Sequence, residues 1–167
     1  EVLSRSSLVK GRVLLLVDDS RLVRDTLGES LEQAGFRVMA AGNGRQALEI
    51  LAAHTPDIIL SDINMPVMGG AAFCEAVRGM ERMADVPFVA MSSENDRRAM
   101  REMVQHGASA YLIKPFHPEQ LVILAERLLS DHVRLILKEK KLLLAERDSL
   151  LASISSLIQA LEARDNY

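Results

Sequence analysis

The stretch Val13-Leu14-Leu15-Leu16-Val17-Asp18-Asp19 decides the fold. Five consecutive apolar residues leave no polar face, so the run suits a strand buried on both sides, as strands of parallel sheets are. It stops abruptly on two carboxylates. Outward from it, Ser20 is a good N-cap for a helix through about Ala34, which Gly35 closes. Phe36 to Ala40 reads as a second strand, and Asn43 opens a helix reaching His54. Pro56 breaks that helix before a third strand, Asp57-Ile58-Ile59-Leu60-Ser61. A helix over Gly70 to Arg78, a strand over Val86 to Met91, a helix over Asn95 to His106 and a strand over Ala110 to Ile113 complete the series. Strands and helices alternating at roughly twenty to thirty residues per unit predict an α/β fold, a (βα)5 doubly wound parallel sheet with right-handed crossovers.

In such sheets, function sits just beyond the carboxyl ends of the strands. Those ends carry Asp18 and Asp19 after the first strand, Asp62 after the third, Ser92 after the fourth and Lys114 after the fifth. Three clustered carboxylates repel one another unless something positive sits among them. A hard divalent cation with oxygen ligands, Mg2+ above all, is the economical answer. It would draw a phosphate dianion towards the one carboxylate free to attack. Phosphoryl transfer needs mainly an in-line nucleophile and neutralised equatorial oxygens. Mg2+, Lys114 and the Ser92 hydroxyl with nearby backbone N–H groups can each take one oxygen. Taken singly, each acid is explained as a solvated strand-end charge; the five positions together are not.

Composition sets the outer limits. The chain has 167 residues, 49% apolar and 26% charged, the balance of an ordinary globular protein. A net charge of -3 is too small to make nucleic acid or an anionic membrane the expected partner. The single cysteine, Cys74, forms no internal disulfide and fits a reducing cytoplasm. No apolar run approaches the ~18 residues that cross a bilayer. Glu1 to Arg5 has no signal-peptide character and lacks an initiator Met, so the chain is expected to be a piece of a longer protein.

These residues resemble the response-regulator receiver family of two-component signalling. The likeness runs from about residue 11 to residue 130 and rests on four marks. They are the Asp18-Asp19 pair, the run Asp62-Ile63-Asn64-Met65-Pro66-Val67-Met68-Gly69-Gly70, the run Pro87 to Ser92, and Gly107-Ala108 through Tyr111 to Lys114-Pro115-Phe116. The resemblance implies a flavodoxin-like receiver whose phosphoacceptor is Asp62 and whose donor is a sensor histidine kinase. It implies Mg2+ held directly by Asp19 and Asp62, through water by Asp18, and by the backbone carbonyl of Asn64. Ser92 and Tyr111 match the family's switch pair, in which the hydroxyl moves to the phosphoryl group and the ring follows inward. Lys114 would contact the phosphoryl group, and the Lys114-Pro115 bond is typically cis in this family. Asn64 and Glu94, two residues after Asp62 and Ser92, lie where side chains gate the attacking water. Both are polar, which implies phosphate loss at the faster end of the family's range. Ser93 stands where the family often has Ala, and Gly69 adds a second glycine that is expected to loosen its loop. The module itself is not an enzyme beyond its own phosphorylation and dephosphorylation.

Other residues read more plainly. Asp131-His132-Val133-Arg134 lacks the pattern around a kinase's phosphorylated histidine, so His132 is expected to be solvated. His54, His106 and His117 have no metal-ligand spacing. Cys74, among Ala71, Phe73 and Val77, is expected to be an inert packing thiol. Arg97, Arg98 and Arg101 are expected to form a solvated basic face.

All 9 Gly and all 5 Pro fall at or before Pro118. From Pro118 onwards the sequence predicts one helix of nearly fifty residues, about 70 Å long. Its first turns can bury Leu121, Leu124, Ala125 and Leu128 against the sheet as the fifth helix. Beyond them Leu129, Ile136, Leu143, Leu150 and Leu157 recur at heptad position d, with Val133, Lys140, Arg147, Ile154 and Leu161 at position a. Leu137, Leu144, Leu151 and Ile158 flank the seam. This is a coiled coil with a polar middle, and it predicts a homodimer. The expected organisation is a flexible segment over 1–10, a receiver over 11–130 and a dimerisation linker over 131–167, its helix continuous with the fifth helix. Ser156 to Tyr167 resembles the lead-in to an HD-GYP domain, so an output domain beyond residue 167 is expected, the parent then being a cyclic-di-GMP phosphodiesterase. Two rival readings exist. A haloacid-dehalogenase-type phosphatase needs Asp-x-Asp after the first strand, whereas Asp18-Asp19-Ser20 stands here. A receiver-like adaptor that dimerises without phosphorylation would have no use for the full acid set with Ser92 and Lys114.

Overall fold

The structure, a computed structural model, describes residues 8–93 and 97–166. Five strands, β1 (Val13–Val17), β2 (Arg37–Ala41), β3 (Ile58–Asp62), β4 (Phe88–Ser92) and β5 (Ala110–Ile113), form one sheet in the order β2-β1-β3-β4-β5. Every neighbouring pair is parallel. The helices are α1 (Arg21–Ala34), α2 (Gly44–Leu51), α3 (Gly70–Arg78), α4 (Arg97–Gln105) and α5 (Pro118–Asp165).

Alternation along the strands feeds two cores. Leu14, Leu16, Ile58 and Leu60 pack with Leu31 of α1 and with Leu121, Ala125 and Leu129 of α5. Leu15, Val17, Ile59 and Ala90 pack with α2, α3 and Met103 of α4 on the other face. Each fully buried Leu or Ile contributes about 1.5–3 kcal/mol. All five residues of β3 are buried, which fixes the centre of the sheet.

The caps hold as the sequence predicts. Ser20 Oγ accepts from the Val23 amide at 3.3 Å, and Gly35 closes α1 in the left-handed region at φ 118°. Asn43 Oδ1 accepts from the Gln46 amide at 2.9 Å. Some boundaries move. β2 starts one residue late because the Phe36 amide is bound to Leu31 O at the end of α1. β4 begins at Phe88, since Pro87 has no N–H for the ladder. α2 stops at Leu51, where Ala53 and His54 both donate to Ile50 O and tighten the last turn. A short 3-10 turn, Glu81–Met83, was not legible and buries Met83.

One side chain ties several of these pieces together. The Arg78 guanidinium, at the end of α3, donates to Met83 O, Ala84 O and Val86 O ahead of β4, at 3.0, 3.1 and 2.7 Å. It also donates to Gly107 O and Ser109 Oγ ahead of β5, at 2.9 and 3.3 Å.

The chain divides into two units, Glu1–His132 and Val133–Tyr167. In the first unit, Leu8 to Lys10, the end of the segment expected to be flexible over 1–10, form a turn in which Val9 is fully buried in the core. Residues 1–7 lie outside the described residues. Leu129 also belongs to this core at 3% exposure, so it is not free for a dimer seam. Its heptad phase coincides with the four-residue spacing of Leu121 and Ala125, and the domain takes it. In the second unit Ile136, Leu143, Leu150, Ile154, Leu157 and Leu161 are exposed, while Val133 is half-buried. Among the described residues, no helix is long and apolar enough to cross a membrane.

Candidate metal and phosphoryl site

The strand order reverses direction between β1 and β3, the switch point at which doubly wound sheets bind ligands. Asp18 and Asp19 follow β1 there, and Asp62 is the last residue of β3. One carboxylate oxygen from each of the three lies within 4.8 Å of the others. Asp18 and Asp62 are buried, whereas Asp19 is exposed. Ser92 likewise closes β4 as its last residue rather than following it, and it is buried.

Asp18 is held on every side. Its amide donates to Ala41 O at 3.1 Å and its carbonyl accepts from Arg24 Nη1 at 2.6 Å. Its Oδ1 accepts from the Ser20 amide at 2.8 Å, and its Oδ2 accepts from Lys114 Nζ at 2.7 Å. The same ammonium reaches Asp62 Oδ2 at 3.3 Å. Lys114 therefore spans two of the three acids. Its backbone amide donates to Ser92 O at 2.7 Å, joining the ends of β4 and β5. Arg24 was not legible as a site residue: its contact depends on where α1 lands, and only a cation one turn past the N-cap hinted at it.

The electrostatics follow from crowding. Burial pushes the Asp62 carboxyl above its ordinary value; the Asp18 charge adds to this and Lys114 opposes it. Burial works against the Lys114 ammonium, but the hydrogen bond to Asp18 and the charges of Asp62 and Asp18 outweigh it and raise its pKa. Three carboxylates with one ammonium leave an excess of negative charge and hard oxygen donors, a set that fits a hard divalent cation.

The loop after β3 is tightly built. The Ile63 amide donates to Met91 O at 3.1 Å and the Gly70 amide to Ile63 O at 2.8 Å. A Cβ on Gly70 would stand 2.5 Å from Asp62 O, so α3 can approach the strand end only through a glycine. Gly69 is the N-cap with an extended backbone, and a Cβ there would stand 3.3 Å from Ile63 O; the closer approach to the strand end is at Gly70. Val67 sits at φ 68°, and the Met68 amide donates to Pro66 O at 2.8 Å, a γ-turn of the strained hand. Asn64 is exposed in this loop, and Tyr111 on β5 is half-buried and pairs across to Ala90. The Lys114-Pro115 bond is cis. Glu94 lies outside the described residues. Cys74 is buried, donates to His106 O at 3.4 Å, and burial pushes its thiol up to about 11, as an inert packing thiol requires.

Comparison with known proteins agrees with this geometry. The response regulator receiver domain family matches residues 14–126. The DNA-binding transcriptional regulator NtrC of Escherichia coli K12 is 37% identical over 120 residues, which are 72% of this chain and 25% of NtrC. The chain thus spans about a quarter of that relative's length. Among solved structures, the chemotaxis response regulator CheY4 of Vibrio cholerae is 35% identical with a TM-score of 0.67, covering 71% of this chain and 99% of its own. The receiver domain of the sensor histidine kinase PA1611 of Pseudomonas aeruginosa is 28% identical with a TM-score of 0.68, covering 72% and 98%. That structure has a magnesium ion coordinated in its active-site cleft. The chain belongs to the response regulator receiver domain family. It is a regulatory module of two-component signalling.

Proposed function

We propose that this domain is a cytoplasmic phosphorylation switch that takes a phosphoryl group from a sensor histidine kinase onto Asp62. The carrying observation is the convergence of Asp18, Asp19 and Asp62 within 4.8 Å, with Lys114 spanning two of them. As the P–N bond of a phosphohistidine breaks, an O–P bond to an Asp62 carboxylate oxygen forms. Asp19, Asp62, the Asn64 carbonyl and, through water, Asp18 would hold Mg2+, which offsets charge on the phosphoryl oxygens when bound. Lys114 exchanges its carboxylate partners for a phosphoryl oxygen, and the Ser92 hydroxyl takes another. Tyr111 follows as the second half of the switch, and Asn64 and Glu94 gate the water that removes the phosphate.

We assign 11–130 to the receiver, preceded by 1–10, and 131–167 to a linker that carries the signal to an output domain through a dimer. Ser156 to Tyr167 alone points to an HD-GYP output; NtrC is named as a DNA-binding regulator, so a transcriptional output is the competing reading. The residues encoded after Tyr167 decide between them.

Incubation with acetyl phosphate and Mg2+, followed by mass spectrometry, tests the switch. Wild type should gain one phosphoryl group and Asp62→Asn none, and chelation should abolish the reaction. Equal labelling of both proteins would sink the assignment of Asp62. A wild type that takes no label at all would favour the adaptor that dimerises without phosphorylation.

A further inference from the structure

The second unit of the chain exposes an apolar stripe whose centre is charged. On the heptad wheel, positions d, a and e form one arc with a in the middle. Positions d and e are apolar from Ile136-Leu137 to Leu157-Ile158, and these residues are exposed. Yet the middle of the arc carries Lys140 and Arg147, in consecutive heptads, each directly preceded by a glutamate, Glu139 or Glu146.

None of the four has an opposite charge where a helix could supply one. Residues three and four positions away are neighbours on a helix, whereas adjacent residues diverge. Lys140 has Ile136, Leu137, Leu143 and Leu144 at those places, and Arg147 has Leu143, Leu144, Leu150 and Leu151. Glu139 and Glu146 meet only Leu, Ile and Ser at theirs. The ion pair that Arg147 does make, Nη2 with Asp148 Oδ1 at 3.3 Å, joins adjacent, largely exposed side chains. These charges look outward for their partners.

Resting on the reading of 131–167 as a dimer linker, we infer that the occupant of this stripe is a second copy of the chain, parallel and in register. Lys140 and Arg147 then pair with Glu139 and Glu146 of the other copy. In a parallel pair the side chain at a lies against the preceding g of the other helix, so each cation meets one carboxylate and each such pair occurs twice by symmetry. The e positions opposite the glutamates are Leu144 and Leu151, which leaves the cations as their sole partners across the seam. An antiparallel pair sets a against d and g against g. It would sink both cations among leucines and bring glutamates face to face, and unpaired buried charge is costly. The four charges thus fix register and direction, at some cost in tightness, while Ile154, Leu157 and Leu161 hold the far end.

Three variants of the whole chain test this by sedimentation equilibrium and by oxidation. Lys140→Glu with Arg147→Glu should weaken the dimer by at least about tenfold through like-charge opposition, and so should Glu139→Lys with Glu146→Lys. Mixing the two variants should restore a heterodimer as tight as wild type. Leu157→Cys should cross-link to its own copy under mild oxidation, since parallel register sets the two substituted positions side by side. Wild type serves as the control, because Cys74 is buried. A monomeric wild type at high micromolar concentration overturns the linker reading and this inference with it. A wild-type dimer that neither cross-links through Leu157→Cys nor recovers on mixing overturns the parallel pairing alone.

Discussion

Lys114 holds Asp18 at 2.7 Å and Asp62 at 3.3 Å, so it offsets part of the repulsion between two buried carboxylates. Removing it exposes two buried carboxylates to each other. Lys114→Ala should therefore bind Mg2+ at least as tightly as wild type, yet phosphorylate about a hundredfold more slowly, the usual cost of deleting one charge-stabilising donor. The chain has no Trp, so calorimetry serves for the metal and a phosphorylation time course for the rate. Weaker metal binding with normal phosphorylation would reverse the roles. The ammonium's folded pKa is raised, so its contribution to stability is complete below its unfolded value of about 10.5 and disappears as pH rises through the folded one. Wild type should lose this advantage only in strongly alkaline solution. That the sequence showed Lys114 near the acids, but not that it bridges them, is a matter of range. Strand-end position follows from pattern, whereas a 2.7 Å contact over 96 residues of sequence depends on where the sheet sets β5.

The segment from Asp62 to Gly70 holds two opposed backbone demands. Val67, exposed, is a β-branched residue at φ 68°, which costs roughly 1–3 kcal/mol. Val67→Gly should relieve that strain at some cost in unfolded-state entropy and leave the domain about 1 kcal/mol more stable. Gly70→Ala should do the reverse, because its Cβ would meet strand backbone that cannot give way, destabilising by about 1–3 kcal/mol and slowing phosphorylation as Asp62 is displaced. Urea unfolding curves for both proteins check the signs; two changes of the same sign would refute this account of the loop. The strands and caps were legible because apolar runs and capping residues act locally. The loop was legible only as a motif: two adjacent glycines look alike in sequence, and only the approach of α3 to Asp62 O distinguishes Gly70 from Gly69. At α5 the error ran the other way. Heptad spacing passes through Leu129 without a break, and tertiary packing alone shows that the core claims it.

For the whole domain, the site is a burden on the fold. Asp62 has a raised pKa, so it favours the folded state fully below its unfolded value of 3.8 and works against it once pH passes the folded one. At neutral pH and without a cation, Asp62→Asn should melt at a higher temperature than wild type. Saturating Mg2+ should lift wild type and leave the variant nearly unchanged, closing the gap. Thermal melts of both proteins, with and without chelator, check this; a variant that melts below wild type in chelator would show that Lys114 already offsets the crowding. Arg78 bears on the domain in another way. The approaches to β4 and β5 are moored to the same guanidinium, so the two strands that deliver Ser92 and Lys114 take their positions from a common reference point on α3. α4 lies between them in the chain but not in this mooring. The spacing between the hydroxyl and the ammonium is thereby referred to α3, while α4 is held to the same frame through buried Met103 and the turn that closes it at His106 and Gly107.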